Sequence, residues 1–229
     1  MRLDKYICRC TELTRSEAKK LLKQGLVTVN GSVEKDPSAQ AYEESDVRID
    51  GDKLYFAKAK YIMLHKPVDC ICSNIDELYP SVLHFVDVDR AFDLHIAGRL
   101  DADTTGLVLI TDDGQWSHRI TSPKKQCAKR YRVQTSKPIA ESAIERFAHG
   151  VQLQNEKHLT KPAVLEIIGE KEALLTITEG KYHQVKRMFA AIGNRVVGLH
   201  REQVGDIALD AELAPGQWRY LTEQEIASI

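Results

Sequence analysis

Gly98-Arg99-Leu100-Asp101-Ala102-Asp103-Thr104-Thr105-Gly106-Leu107 puts two carboxylates, an arginine and two glycines into one turn-prone stretch that runs straight into Leu107-Val108-Leu109-Ile110. An unbroken apolar run of that length, closed by Thr111-Asp112-Asp113-Gly114, predicts a strand shielded on both faces. The acidic loop then sits at the mouth of a core strand, where a rigid scaffold can hold reactive side chains. Charged residues also serve simply to solvate a turn, so composition leaves both readings open here.

The chain around this loop has 229 residues and 43% hydrophobic content, enough for one large domain and a small one. No apolar run approaches a membrane span, and Met1-Arg2-Leu3-Asp4-Lys5 lacks a signal peptide's apolar region, so a cytoplasmic protein with no membrane partner is expected. Cys8/Cys10 and Cys70/Cys72 are C-x-C pairs without zinc spacing, and Cys127 stands alone; reduced structural thiols and no metal site are expected. Asp103, Asp112 and Asp113 raise the rival class of a magnesium-dependent nuclease or phosphotransferase. That class needs ligands from several places and a means of holding phosphate, whereas Asp112-Asp113-Gly114 is explained by the turn ending a strand. G-x-G-x-x-G and Walker-type loops are missing, which removes the obvious dinucleotide and nucleoside-triphosphate readings.

The formal net charge is only −1, but it is unevenly distributed. Gly114 to Lys137 carries Arg119, Lys124, Lys125, Lys129, Arg130, Arg132 and Lys137 without an acid, and Lys181 to Arg201 is also free of Asp and Glu. Asp69 to Asp93 and Glu202 to Glu225 are acid-rich, so a polarised surface with a basic face for phosphates is expected. Lys129, Arg130, His183 and Arg187 are candidate phosphate contacts on it.

The pattern predicts an α+β protein of two domains, 1–57 and 58–229. In the first, Leu3 and Ile7 share a helical face, and Thr14-Arg15-Ser16-Glu17 is a capping box opening a helix that Gly25 can end. Val27 and Val29 alternate before the Asn30-Gly31 hairpin signal, and another strand is expected around Val47 and Ile49. Residues 52–60 read as a linker. In the second domain, strands are expected at Tyr61–Lys66, Tyr131–Val133, Val164–Ile168 and Leu174–Thr178. Ile144 with Phe147, and Val185 with Met188, Phe189 and Ile192, show helical spacing. Together they make a mixed, largely antiparallel sheet with packed helices.

Three segments resemble the pseudouridine synthases. Gly98 to Leu107 resembles their central motif, with Gly98 and Asp103 to Leu107 similar to its small-subunit ribosomal branch; Lys129-Arg130-Tyr131-Arg132-Val133 is similar to the motif whose tyrosine lies against the target base; and Glu179 to Phe189 resembles the motif that sets a basic residue beside the aspartate. Tyr61 to Pro67 resembles the lysine-proline start of the catalytic domain, making Lys66 a further candidate RNA contact. Arg2-Leu3-Asp4-Lys5, Ser16-Glu17-Ala18 and Val27-Thr28-Val29-Asn30-Gly31 resemble an S4-type RNA-binding domain, with Arg15, Lys19 and Lys20 as its candidate contacts. The resemblance implies isomerisation of a uridine in small-subunit ribosomal RNA by a monomer without a cofactor, on naked RNA or a partly assembled subunit. Its alternatives are a large-subunit RNA target and a non-catalytic assembly factor.

Forming pseudouridine breaks the N-glycosidic bond, turns the uracil and joins its C5 to the sugar. A duplex hides these atoms, so the nucleotide must be flipped out or unpaired. By resemblance Asp101 is the attacking carboxylate, Arg99 helps open the RNA, and Tyr131 lies on the uracil. Asp101 must stay ionised in a site that excludes water, which calls for a nearby cation. Lys186 is that cation by resemblance, and helical geometry supports it over Arg187: at about 100° per residue Lys186 flanks the apolar stripe of its helix, while Arg187 projects nearly opposite, better placed for phosphates. Many synthases carry arginine at the Lys186 position, and a lysine cannot form a bidentate pair.

Overall fold

Leu3, Tyr6 and Ile7 line up on one face of α1 (Leu3–Cys10) and are buried with Ala18 and Leu22 of α2 (Arg15–Gln24), as helical periodicity predicts. Thr14 opens α2 with the expected capping box: its hydroxyl accepts from the Glu17 amide at 3.3 Å, and its own amide donates to the Glu17 carboxylate at 2.8 Å. Gly25 ends the helix in the left-handed region, φ +76°, donating back to Leu21 and Leu22. Four short strands follow, β1 (Val27–Val29), β2 (Ser32–Val33), β3 (Val47–Ile49) and β4 (Asp52–Lys53), in the antiparallel order β2-β1-β3-β4. Residues 52 and 53 are therefore sheet rather than linker. The cause is Asp50-Gly51, both at positive φ like Asn30-Gly31, a pair that turns the chain back as a tight hairpin.

The computed structural model describes residues 1–55 and 59–229, which fall into two compact units, Met1–Lys58 and Ala59–Ile229. The expected boundary between residues 57 and 58 lies outside the described residues.

The second unit is built on a nine-stranded sheet. Its strands are β5 (Tyr61–Lys66), β6 (His95–Ala97), β7 (Thr105–Thr111), β8 (Lys129–Thr135), β9 (Val164–Gly169), β10 (Glu172–Ile177), β11 (Val196–Val204), β12 (Ile207–Ala208) and β13 (Trp218–Tyr220). The order is β13-β5-β7-β11-β8-β10-β9, with β6 added to β7 and β12 to β11; β7 and β11 run parallel and the other strand pairs antiparallel. Helices α3 (Gly114–Thr121), α4 (Ser142–His149), α5 (Gln184–Ala191) and α6 (Glu223–Ala227) complete the unit. Val108 and Ile110 of β7 enter a core with Phe147, Met188 and Phe189, while Leu107 and Leu109 enter a second core with Trp116 and Ile120. Alternate residues facing two different cores explain why this strand is apolar throughout.

Two elements depart from expectation. Asp112-Asp113-Gly114 does not merely close a strand: the Asp113 carboxylate accepts from the amides of Gln115 and Trp116 and so caps α3. Asp112 and Asp113 also lie at the far end of the seven-residue β7 from Asp103, roughly 20 Å along the strand at about 3.3 Å per residue. The three carboxylates of the magnesium reading are thus not assembled. The nine-residue β11, central in the sheet, has no apolar alternation, because its middle, His200-Arg201-Glu202, packs polar groups against β7 and β8.

Candidate active site

The loop between β6 and β7 carries Asp101, and its shape is imposed largely by two buried cations. Arg201 of β11 is 1% exposed and donates from Nε to the Leu107 carbonyl and from Nη2 to that of Gly98, both at 2.8 Å. Lys66, at the end of β5, is fully buried; its ammonium donates to the carbonyls of Thr104 (2.8 Å), Pro67 (2.9 Å) and Ala102 (3.3 Å). Lys66 is therefore not an RNA contact. Its three protons are taken by two backbone oxygens of the loop and that of the adjoining Pro67, and burial lowers its pKa. Gly106, at φ +110°, lets β7 close onto β11; a Cβ there would overlap the backbone of Arg201. Cys72 adds a further tether by accepting the Leu100 amide at 3.3 Å.

The start of α5 faces this loop. Gln184 is buried, accepting from the Lys181 amide and donating to Glu179, which also accepts from the Lys161 amide, all at 2.8 Å. Two residues further along α5, Lys186 reaches the loop: its ammonium lies 3.0 Å from Asp101 Oδ2 and 2.6 Å from Asp103 Oδ1. A lysine thus meets two separate carboxylates with two of its three protons, an arrangement that needs no fork. Burial alone would depress this ammonium, but the bonds to Asp103 and Asp101 outweigh it and raise its pKa. Burial likewise works against ionisation of Asp103, yet Lys186 holds its pKa below the ordinary value. His183, at φ +46° just before α5, points Nε2 at Asp101 Oδ1 from 3.3 Å. The sequence offers His183 as an RNA contact; in the structure its side chain makes no cap hydrogen bond and faces the aspartate within the cavity.

Tyr131 comes from β8, whose alternation decides the fate of the basic run. Lys129, Tyr131 and Val133 point inward, and Tyr131 is 7% exposed. Lys129 is buried and gives its ammonium to the carbonyls of Cys127 and Ile120 at 2.8 and 3.0 Å. Arg130 and Arg132 alternate with Tyr131 and turn to the other face. There Arg132 binds Glu202 and Glu172 at 2.6 and 2.9 Å, and Arg130 Nε stands 3.8 Å from Glu202. Lys129 thus lines the cavity with its ammonium already committed to backbone carbonyls, and Arg130 lies on the face of the strand away from Tyr131. Arg187 is also diverted, donating to Glu156 (3.2 Å), to the Tyr182 carbonyl (3.0 Å) and to that of Gln154. A count of cations along the sequence does not reveal that carbonyls and acids, near in the chain for Lys129 and distant for Arg132, take them up.

Asp101, Lys186, His183, Tyr131, Glu179 and the exposed Arg99 line one cavity of about 580 Å³. Arg15, Lys19 and Lys20 lie exposed on α2 of the first unit. Among the predicted site residues, Asp101, Tyr131, Lys186, Arg99 and His183 are brought together. Sequence reading missed Arg201 and Glu179 as supports. An arginine within a polar strand segment carries no periodic signal that could single it out.

A carboxylate bridged to a lysine beside an inward tyrosine, on a scaffold that follows a small helical module with an exposed basic helix, defines an enzyme domain joined to a nucleic-acid-binding module. The chain belongs to the RNA pseudouridylate synthase family, whose pattern it matches over residues 60–191, with an S4 domain over residues 1–44. It is 54% identical to the ribosomal small subunit pseudouridine synthase A of Vibrio cholerae over all of this chain and 99% of the relative, and 54% identical to that of Escherichia coli K12 over both full lengths. A crystal structure of a pseudouridylate synthase superposes with a TM-score of 0.73 at 50% identity, covering 100% of this chain and 99% of the other.

Proposed function

We propose that this protein converts a uridine of small-subunit ribosomal RNA to pseudouridine, with Asp101 as the carboxylate that acts on the nucleotide. The observation that carries this reading is the fixation of Asp101 at a cavity mouth by Lys186 and His183, with Tyr131 in the same cavity. The small-subunit target is drawn from the relatives, which bear that substrate in their names over the full length of this chain.

In this mechanism Arg99 fills the space the flipped nucleotide leaves, and the ring of Tyr131 supports the uracil. The bond between N1 and the sugar breaks, the ring turns, and C5 bonds to the sugar carbon. C5 loses its proton and N1 gains one, so the isomerisation is redox-neutral. Asp101 starts the reaction by adding to the nucleotide or by assisting elimination to a glycal, the Tyr131 hydroxyl being the proton carrier in the second route. Lys186, 3.0 Å from Asp101, supplies the balancing positive charge as the closing RNA excludes water. The reading extends to a monomer acting in the cytoplasm, where ribosomal subunits are assembled.

Asp101→Asn keeps the shape and removes the charge, so product formation should fall by about 10⁴ or more while RNA affinity stays close to that of the parent. Asp103→Asn should retain substantial turnover. The reverse pattern, with Asp101→Asn active and Asp103→Asn dead, overturns the assignment. Mapping pseudouridines in ribosomal RNA with and without the gene tests the target: loss confined to large-subunit RNA refutes the small-subunit reading.

A further inference from the structure

Tyr131 and Tyr182 line the same cavity in opposite states: Tyr131 is buried at 7% exposure, whereas Tyr182 is 76% exposed. A lone aromatic ring open to solvent is common on a protein surface, but this one is held. It stacks on His183 with ring centroids 3.8 Å apart and planes inclined by 21°. His183 is in turn held by backbone at φ +46° and by Asp101, 3.3 Å from its Nε2. The phenol is thus the outer layer of a short stack whose inner layer touches Asp101, and its second face is open at the cavity rim.

We infer that Tyr182 is a stacking platform for an unpaired nucleobase next to the uridine that enters the cavity, so that the enzyme grips a flanking base as well as the reacting one. The inference rests on the proposed reaction only for what enters the cavity. A nucleobase is the ligand that fits, because it is flat, presents a π-face whatever its identity, and continues a stack already begun by two nearly parallel rings. The site thereby requires that the bases beside the target be unstacked on binding. Because the same stack leans on His183, a flanking base seated there also fixes the group that meets Asp101.

The test uses the full chain and a short unpaired RNA bearing one uridine, with 2-aminopurine placed on its 5′ side in one strand and on its 3′ side in another. Binding should quench 2-aminopurine from one of the two positions in the parent and in Tyr182→Phe, and should fail to quench it in Tyr182→Ala. Tyr182→Ala should also bind this RNA about 5- to 150-fold more weakly, the range spanned by loss of one base–aromatic stack, with Tyr182→Phe near the parent. Equal quenching in Tyr182→Ala and the parent, or none from either position in the parent, overturns the inference. The side chain is so exposed that its removal leaves the core untouched, which circular dichroism will verify. Pseudouridine formation in small-subunit ribosomal RNA, measured with the same preparations, separates the two readings. Product without quenching sinks the platform alone; quenching that depends on Tyr182, without product, sinks the reaction alone.

Discussion

Cations in the two units are used differently. On α2, Arg15, Lys19 and Lys20 stand in solvent, whereas in the second unit Lys66, Lys129 and Arg201 are buried and surrounded by backbone carbonyls. An exposed lysine is strongly hydrated, flexible and available to a phosphate. A buried cation without its carbonyls would suffer a large desolvation penalty, so it dictates where those carbonyls must be. The same residue types therefore serve as ligand-binding groups in one region and as interior braces in the other. Arg201 and Lys66 are the braces that tie down the path of the Asp101 loop.

Removing a brace is the strongest way to break this contrast. Arg201→Met leaves the carbonyls of Gly98 and Leu107 buried without their donor and should destabilise the second unit by about 3–5 kcal/mol. Both tryptophans, Trp116 and Trp218, lie in that unit, so the urea midpoint followed by their fluorescence reports on it directly. Lys66→Met should act in the same direction, and a midpoint unchanged in both variants would show that the loop does not depend on them.

A smaller effect sharpens the comparison through two matching capping boxes. Thr14/Glu17 and Thr222/Glu225 have the same geometry, but only Glu225 is also gripped by Arg219, through two oxygens at 2.8 and 2.9 Å. That grip lowers the Glu225 carboxyl to about 2 from an ordinary 4.5. Folding lowers this pKa, so the folded state binds fewer protons here. The contribution is complete above about pH 4.5 and is lost as pH falls toward 2. Glu225→Gln should cost on the order of 1–2 kcal/mol near neutrality, less than the full pKa shift implies because the pair is partly screened. It should also flatten the fall of stability between pH 4.5 and 2; an unaltered acid limb of the tryptophan-monitored titration would refute the role.

The smallest structural effect belongs to the exposed helix. Arg15→Ala, Lys19→Ala and Lys20→Ala together should leave the circular dichroism spectrum and thermal midpoint unchanged. For each phosphate that the helix no longer neutralises, the log–log salt slope of RNA affinity should fall by about 0.7. A constant slope would mean that this face of α2 does not meet RNA.

The sequence by itself determined the local elements: the capping box at Thr14, the Asn30-Gly31 hairpin, the doubly covered strand after Gly106, and the flank of α5 on which Lys186 lies. These follow from hydrogen bonds and periodicities that span a few residues. It also pointed to Asp101, Tyr131 and Lys186 through motifs with particular residues at particular spacings. Only the tertiary structure decided the rest. Whether Lys66, Lys129, Arg130 and Arg187 face RNA or the protein depends on carbonyls and acids that can lie far along the chain, such as Glu202 beside Arg130. His183 met Asp101, and Arg201 became the brace of the loop, because strand pairing and helix packing bring together residues far apart in the chain. The partners that shape this site, Lys186 and His183 for Asp101 and the Gly98 and Leu107 carbonyls for Arg201, are long-range facts that no short window along the sequence contains.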